Sequence, residues 1–306
     1  MLLDDEGIPI DIVTRERSAA TSLVEEAMLL ANECVAEFLS DHNLTAAYRV
    51  HEEPSADTLA SAVKTLTELG ALEGGLAAGI MLGEPRAIAS AVVDAHGTPM
   101  APLVNALLLR AQQRAVYRSE NGGHYALGAR AYCHFTSPIR RYPDLIVHRV
   151  LKVALAKREL GKKEAAARSP RLVGKGPQSL VQVCSALCRQ ASDNERAADA
   201  AATASQKIKV AQFFAGRVGE RFAGTVSWIS DMGAFVRLDD TGAELMRMAA
   251  LGAEWWEYDD IRLRLVGESS GTVIELGQRA IIEVASVDVL RGHLDFKLIH
   301  IEGPNR

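Results

Sequence analysis

Between residues 214 and 219 the period of the apolar pattern changes, and this switch limits the possible folds more than any other feature. Before it, apolar residues recur at the three- and four-residue spacing of amphipathic helices; after it, they fall in short runs and alternations typical of strands. From Gly219 onward, RFAGTVSWI, GAFVRL, IRLRLVG, TVIELG, RAIIEVASVD and HLDFKLI follow one another with Gly and Asp between them. Several short strands so punctuated predict a small β-barrel. The chain therefore reads as α+β, with a mostly helical part over residues 1–215 and a barrel over residues 217–302. A length of 306 residues, 48% hydrophobic and 24% charged, suits two folded domains rather than a disordered chain.

At the amino end, GIPIDIVT (residues 7–14) alternates like a strand and Met1–Leu3 reads as the end of another, as though the sheet had further strands elsewhere. Ser22 with Glu25 three residues later forms a capping-box pattern, and Leu23, Ala27, Leu30, Ala31, Cys34 and Phe38 fall on one helical face, predicted to be the core face. Further helices are predicted near 56–69, 85–94 and 100–116, and from Asp144 to about Leu160. GKKEAAARSPRLVGKGP reads as a linker, and Gln178 to about Phe214 as a long Ala-rich helix.

The four cysteines, Cys34, Cys133, Cys184 and Cys188, lack CxxC spacing and are expected to be reduced or core thiols. No run approaches about 18 apolar residues, and the amino end lacks a basic stretch followed by a hydrophobic one, so no membrane association and a cytoplasmic location are expected. The net charge of −5 conceals an asymmetry. Between Arg140 and Lys175 eleven Lys or Arg stand against three acids, a local excess near +8, which leaves the remainder near −13. A segment of that kind is either a solvated helix face or a path for a polyanion.

The same segment opens on HFTSPIRRYPDLIVHR, His134 to Arg149. Pro138 biases Ser137 away from helix, so Arg140 and Arg141 follow a bend at the entrance to the next helix. Guanidinium forks beside a helix amino terminus suit phosphate, although the same groups could equally hold a structural carboxylate cluster.

These residues closely resemble the signature of the ribonuclease II and ribonuclease R family of processive 3′-to-5′ exoribonucleases, the RNB proteins. LVEEAMLLANECVAEFL, AYRVHEEP, LLLRAQQRAVY and NGGHYALGARAY resemble further blocks of that family in the same order, across nearly all of residues 1–215. The distal part resembles the ribosomal-protein-S-one type of RNA-binding OB domain, and its RLVGESSG is more similar to ribonuclease R than to ribonuclease II. The resemblance implies an OB-fold barrel after the carboxy-terminal part of an RNB domain, with single-stranded RNA as the partner.

Residue by residue, the resemblance implies that Arg140 stabilises charge on the scissile phosphate and that Glu25, or neighbouring Glu26, contacts the 3′-terminal nucleotide. It places His124 and Tyr125 in a substrate-side loop, and Ser137 and Arg141 in the RNA-facing bend. In the barrel it implies Phe222 and Phe235 as stacking aromatics, and Arg247 as an RNA contact where the family commonly has histidine. From the residues alone, Glu25 is as consistent with helix capping, His124 and Tyr125 with local packing, Phe222 and Phe235 with core, His148 and Arg149 with a structural role, and Trp255 and Trp256 with either surface aromatics or packing.

The family cleaves with magnesium held by aspartates in the pattern D-x5-D-x-D-D. Here Asp5 and Asp11 have the first spacing, but Val13 and Thr14 occupy the final positions, and Asp239-Asp240 and Asp259-Asp260 stand without partners at the required distances. No metal ligand is assigned. Three readings follow: the carboxy-terminal portion of an exoribonuclease, completed by a separate segment or chain carrying the aspartates; a noncatalytic RNA-binding protein; or an adaptor.

Overall fold

The computed structural model describes residues 1–13, 17–98, 100–239, 241, 244–245, 254–260 and 262–303. In chain order the elements are β1 (Leu2–Leu3), β2 (Pro9–Asp11), α1 (Ala19–Asp41), β3 (Tyr48–Val50), α2 (Ala56–Glu68), α3 (Gly74–Met81), α4 (Pro85–Ala95) and α5 (Ala101–Ala111). Then come β4 (Val116–Arg118), α6 (Tyr142–Glu159), α7 (Gly161–Leu172), α8 (Leu180–Ala215), β5 (Arg221–Ser230), β6 (Gly233–Leu238) and β7 (Glu244–Leu245). The last strands are β8 (Trp256–Asp259), β9 (Arg264–Gly267), β10 (Val273–Ile274), β11 (Arg279–Asp288) and β12 (His293–Ile301). Among the described residues no helix is long and apolar enough to cross a membrane.

Contacts gather the chain into two compact units, each discontinuous in sequence. One comprises Met1–Arg15, Ser55–Ala111 and Ala200–Arg306; the other comprises Glu16–Pro54 and Gln112–Asp199. The first unit holds the β-rich part. Its main sheet is antiparallel in the order β12-β11-β5-β6-β7, and β10-β9-β8 form a second sheet. No pairing among the described residues joins the two into one closed barrel, but both bury side chains in a single core: Val226, Ile229, Val236, Ile282 and Phe296 from one, Leu265 and Ile274 from the other. The last turn of α8 adds Phe213 and Phe214, and Phe214 meets Phe222 and Phe296 edge-on at centroid distances of 5.4 and 5.9 Å.

Helices α2 to α5 pack among themselves in the same unit around Leu59, Leu66, Ile80, Leu103 and Leu108, and that cluster reaches Trp228, Tyr258 and Leu263 of the β-rich part. The Arg110 guanidinium lies 4.1 Å from the Trp228 ring centroid. The predicted lone strand ends at the amino terminus pair with each other as β1 and β2. Asp4 closes their turn by accepting from the backbone of Glu6 and Ile8, and Lys209 donates to the Gly7 carbonyl at 2.7 Å.

In the second unit, the cap of α1 is Ser18 with Thr21 rather than Ser22 with Glu25. The buried face also differs from expectation. Asn32, Ala36 and Leu39 are buried, with Val35 and Phe38 packed beside them, whereas Leu23, Leu30 and Cys34 are exposed. At 100° per residue Asn32, Ala36 and Leu39 lie roughly opposite Leu23, Leu30 and Cys34, while Phe38, at the edge of the predicted face, packs against the core. Most of the predicted linker is helix α7, which follows α6 after Leu160, starts at Gly161 with φ +86° and continues to Leu172 despite Pro170. Helix α3 was hidden by its three glycines, and α5 stops at Ala111, before strand β4.

Because Phe214 is fully buried in the core of the β-rich part, Phe214→Ala should cost about 3–5 kcal/mol. A fragment starting at residue 217 should unfold at lower urea than one that retains the last turns of α8, as measured by tryptophan fluorescence.

Candidate functional site

The bend at Ser137–Arg141 is held by a single buried carboxylate. Asp144, in the first turn of α6 and fully buried, accepts from the backbone N–H of Ser137 at 2.7 Å. It also accepts both Nε and Nη2 of Arg141 at 2.9 Å, a planar two-point pair. The Ser137 carbonyl in turn accepts from the N–H groups of Arg140 and Arg141. Arg141, expected on RNA, is thus occupied by Asp144, the structural arrangement that the residues alone left open. Arg140, one residue earlier, is exposed and has no side-chain hydrogen bond or ion pair among the described residues. Beside it Ile139 is fully exposed.

The preceding half of the motif is fixed from α1. The buried Asn32 accepts from the backbone of Phe135 and Thr136 at 3.0 and 3.3 Å and donates to the Tyr132 hydroxyl at 3.0 Å. His148 donates from Nε2 to the Phe135 carbonyl and stacks on the Phe135 ring at 4.2 Å, a packing role.

Strand β3 organises the other side. It pairs with β4, and Arg49 N–H donates to the Tyr132 carbonyl, while in the loop NGGHYALG the Gly123 carbonyl accepts from His51 N–H and Tyr125 N–H donates to the His51 carbonyl. The loop needs its glycines: a Cβ on Gly122 would lie 2.8 Å from Val50, and Gly123 has φ +73°. The fold thereby stacks His51 on His124 (5.1 Å, 20° between planes) and on Tyr125 (6.0 Å, 14°). Tyr132 and His134 continue the cluster edge-on. The Nδ1 atoms of His51 and His124 are buried without a partner.

From the far side, Arg49 pairs with Glu195 of α8 at 2.6 Å and lies 4.7 Å over the Tyr117 ring. The Tyr117 hydroxyl shares a 2.7 Å hydrogen bond with His134 Nδ1 and is 3.5 Å from Glu195. Burial, with Arg141 and Arg49 nearby, lowers the His134 pKa to about 3; burial, with His51 and Arg49 nearby, lowers that of His124 to about 4. Burial and Glu195 push Tyr117 up to about 12. The cluster is therefore uncharged near neutral pH apart from the Arg49–Glu195 and Arg141–Asp144 pairs.

Glu25 is exposed on α1 and pairs with Arg17 at 2.5 Å, not with the helix cap. In the other unit, Phe222 is buried in the barrel core, so its ring supplies packing and has no free face for a base. Phe235 is half-buried, lies opposite Trp228 across β5 and β6, and alternates with the buried Ala234 and Val236. Trp255 is exposed, and Trp256 packs against the core. Arg247 lies outside the described residues. RLVGESSG is a carboxylate cradle: Glu254 accepts from the N–H groups of Ser269 and Ser270 and from the Ser270 hydroxyl.

Asn32, Arg49, Tyr117 and Glu195 were not singled out in the sequence. Asn32 alone carried a signal, as a polar residue inside an apolar helix; Arg49 and Glu195 are 146 positions apart. Among the described residues no group of three or more His, Cys, Asp or Glu is placed to hold a metal ion. Asp11 turns to its neighbour's backbone and Asp239 to Arg279. These residues do not fit a magnesium site.

The helix entrance with its locked arginine bend lies within the stretch that the RNB domain family model matches, residues 1–157, and the chain belongs to that family. The chain is 33% identical over 306 residues to Ribonuclease R 1 of Lactococcus lactis subsp. lactis (strain IL1403), covering 99% of this chain and 35% of that protein. It is 35% identical over 289 residues to Ribonuclease R of Escherichia coli (strain K12), covering 94% and 34%. The chain thus spans about a third of the length of the curated relatives it matches. Its fold is similar to that of Mycoplasma genitalium RNase R in complex with ribose methylated single-stranded RNA, with a TM-score of 0.78 and 24% identity over 97% of this chain and 44% of that one.

Removing the Asp144 carboxylate leaves Arg141 charged and largely buried, so Asp144→Ala should lower stability by about 3–5 kcal/mol in urea titrations. Arg140→Ala, exposed and unpaired, should change it by less than about 0.5 kcal/mol. The histidines set the pH response. Unfolding restores their ordinary affinity for protons, so their contribution is complete above about pH 6.5 and is lost as pH falls toward about 4 for His124 and about 3 for His134. Urea midpoints should fall between pH 6.5 and 4, and His124→Phe should flatten that slope.

Proposed function

We propose that this chain is the arginine-bearing, RNA-path portion of a 3′-to-5′ exoribonuclease of the ribonuclease R type, which hydrolyses single-stranded RNA from its 3′ end. The observation that carries the reading is the division of labour in the motif. Asp144 engages Arg141 and fixes the bend, and the bend presents Arg140 unpaired to solvent at a helix entrance. The bend fixes the backbone of Arg140 through its N–H on the Ser137 carbonyl, and its guanidinium, with no pair to give up, is free to turn onto a phosphate on which charge develops. The relatives named Ribonuclease R and the RNA-bound structural neighbour support the same reading.

In this reading Arg140 is the catalytic residue of the chain, and Ser137 and Arg141 act through the bend. His124 and Tyr125 line the RNA side of the ring stack, Glu25 meets the terminal nucleotide after leaving Arg17, and Phe235 and Arg247 serve RNA in the barrel. The carboxylates that would hold magnesium come from a further segment or a separate chain, and the assembly works in the cytoplasm. The alternative, a noncatalytic RNA-binding chain, is favoured by one observation: the absence, among the described residues, of a fitting ligand group.

The chain alone with magnesium should not degrade single-stranded RNA processively. It should bind RNA weakly, with affinity falling as salt rises, at a log–log slope of about −0.7 for each phosphate neutralised by the basic residues 140–175. Adding the aspartate-bearing RNB segment of a relative should restore nucleotide release from the 3′ end. In that mixture Arg140→Ala should cut turnover far more than RNA affinity. Magnesium-dependent exonuclease activity from the pure chain alone would overturn the assignment of the metal site to another segment; RNA binding without activity in the complemented mixture would select the noncatalytic alternative.

A further inference from the structure

The cavity between α6 and α7 takes no part in the arginine bend. Its volume is about 580 Å³, within the span of roughly 300–1,000 Å³ usual for ligand pockets. α6 lines it with positions 152, 155, 156, 159 and 160, the three- and four-residue spacing of one helix face. At 100° per residue that row lies roughly opposite Ile146, Val147 and Val150, which face the core of the unit. α7 leaves α6 at Gly161, packs back on it and adds positions 168, 171 and 172. Two adjoining helices that each present an i, i+3, i+4 row leave a groove of the kind that a third helix fills.

The lining is of two kinds. Leu155, Ala156 and Leu172 make an aliphatic floor, extended by Leu160, which is half-exposed. Lys152 and Arg171 stand on the rim, exposed and without an ion pair or side-chain hydrogen bond among the described residues, while Arg168 is held by Glu164 of its own helix. The lining carboxylate, Glu159, is met by Arg158 at 3.2 Å. Among the described residues no aromatic ring lines the cavity, so it offers no platform on which a base would stack. An aliphatic floor beneath unpaired cations instead complements a helix that carries leucines on one side and carboxylates beside them: the leucines leave water on the floor and the carboxylates meet Lys152 and Arg171.

We infer that the α6–α7 cavity is a docking groove for an acidic amphipathic helix of a partner protein. Lys152 to Glu159 lie roughly 15 to 25 Å along α6 from its entrance at Tyr142, so this occupant leaves Arg140 uncovered, and the inference is independent of the nuclease reading.

The probe is a fluorescein-labelled synthetic peptide of about twelve residues, with Leu at every third or fourth position and Glu elsewhere, long enough to lie along the roughly 12 Å from Lys152 to Leu160. A second peptide carries Ser in place of each Leu. Fluorescence anisotropy with the full chain should show saturable binding of the first peptide and binding of the second that is weaker by about tenfold or more. Reversing both rim charges, Lys152→Glu with Arg171→Glu, should weaken the first peptide roughly tenfold. Lys162→Glu with Lys163→Glu, exposed charges of α7 outside the cavity, should change its affinity by less than about twofold, and both doubly substituted chains should keep the original circular dichroism spectrum. The inference is overturned if the leucine peptide does not bind, if the two peptides bind equally, which would reduce the attraction to charge alone, or if the two charge reversals weaken binding alike. Displacement of the peptide by an equal concentration of single-stranded oligouridylate would overturn it too, by assigning the cavity to RNA.

Discussion

The motif depends on one buried carboxylate. Asp144 comes from the first turn of α6, where a negative charge is favoured by the unpaired N–H groups and the positive end of the helix. It reaches back to Ser137 and across to Arg141, so its hydrogen-bonding capacity is met inside the protein. A buried ion pair often gains little over an apolar substitute of the same shape. Its value here is geometric: the backbone N–H of Ser137 is at one end of the bend, the Arg141 guanidinium at the other, and Arg140 is held between them.

Three further polar side chains complete the frame. Asn32 meets backbone groups that precede the bend, and the Arg49–Glu195 pair supports Tyr117 and, through it, His134. With the imidazoles neutral and the phenols protonated, the rings behave as packing groups with polar edges.

Much of this architecture was legible in the sequence, for physical reasons that differ from element to element. The switch of period near residue 215 coincides with the end of α8 at Ala215 and the start of the ten-residue strand β5 at Arg221, both long and regular elements, although the compact units divide within α8 instead. The gap between α6 and α7 was visible through Gly161, but the helix beyond it was not, because Gly and Pro punctuate a sequence whether or not a helix resumes. The two errors on α1 share a cause. Ser22 with Glu25 fits a capping pattern one turn inside the true start, and the longest apolar row was taken for the core face although the face that packs is interrupted by Asn32. Periodicity reports which side of a helix avoids water; it does not report which partner supplies the cover. The Arg49–Glu195 pair was invisible because contacts between residues so distant leave no local pattern.

The arginine doublet shows why residue type alone could not assign roles. Arg140 and Arg141 are neighbours with identical side chains, and a phosphate site or a carboxylate clamp would suit either. Arg140 ends the turn and Arg141 stands as the extended N-cap of α6, and only Arg141 reaches the buried Asp144. Arg49 and Arg130 are similarly engaged, with Glu195 and with Glu37 and Asp41. A guanidinium already paired must give up that pair to receive a phosphate, and the gain is reduced accordingly. Arg140 has no such partner among the described residues, so an approaching phosphate meets its whole hydrogen-bonding fork, while Arg141 stays in place to keep the bend from yielding.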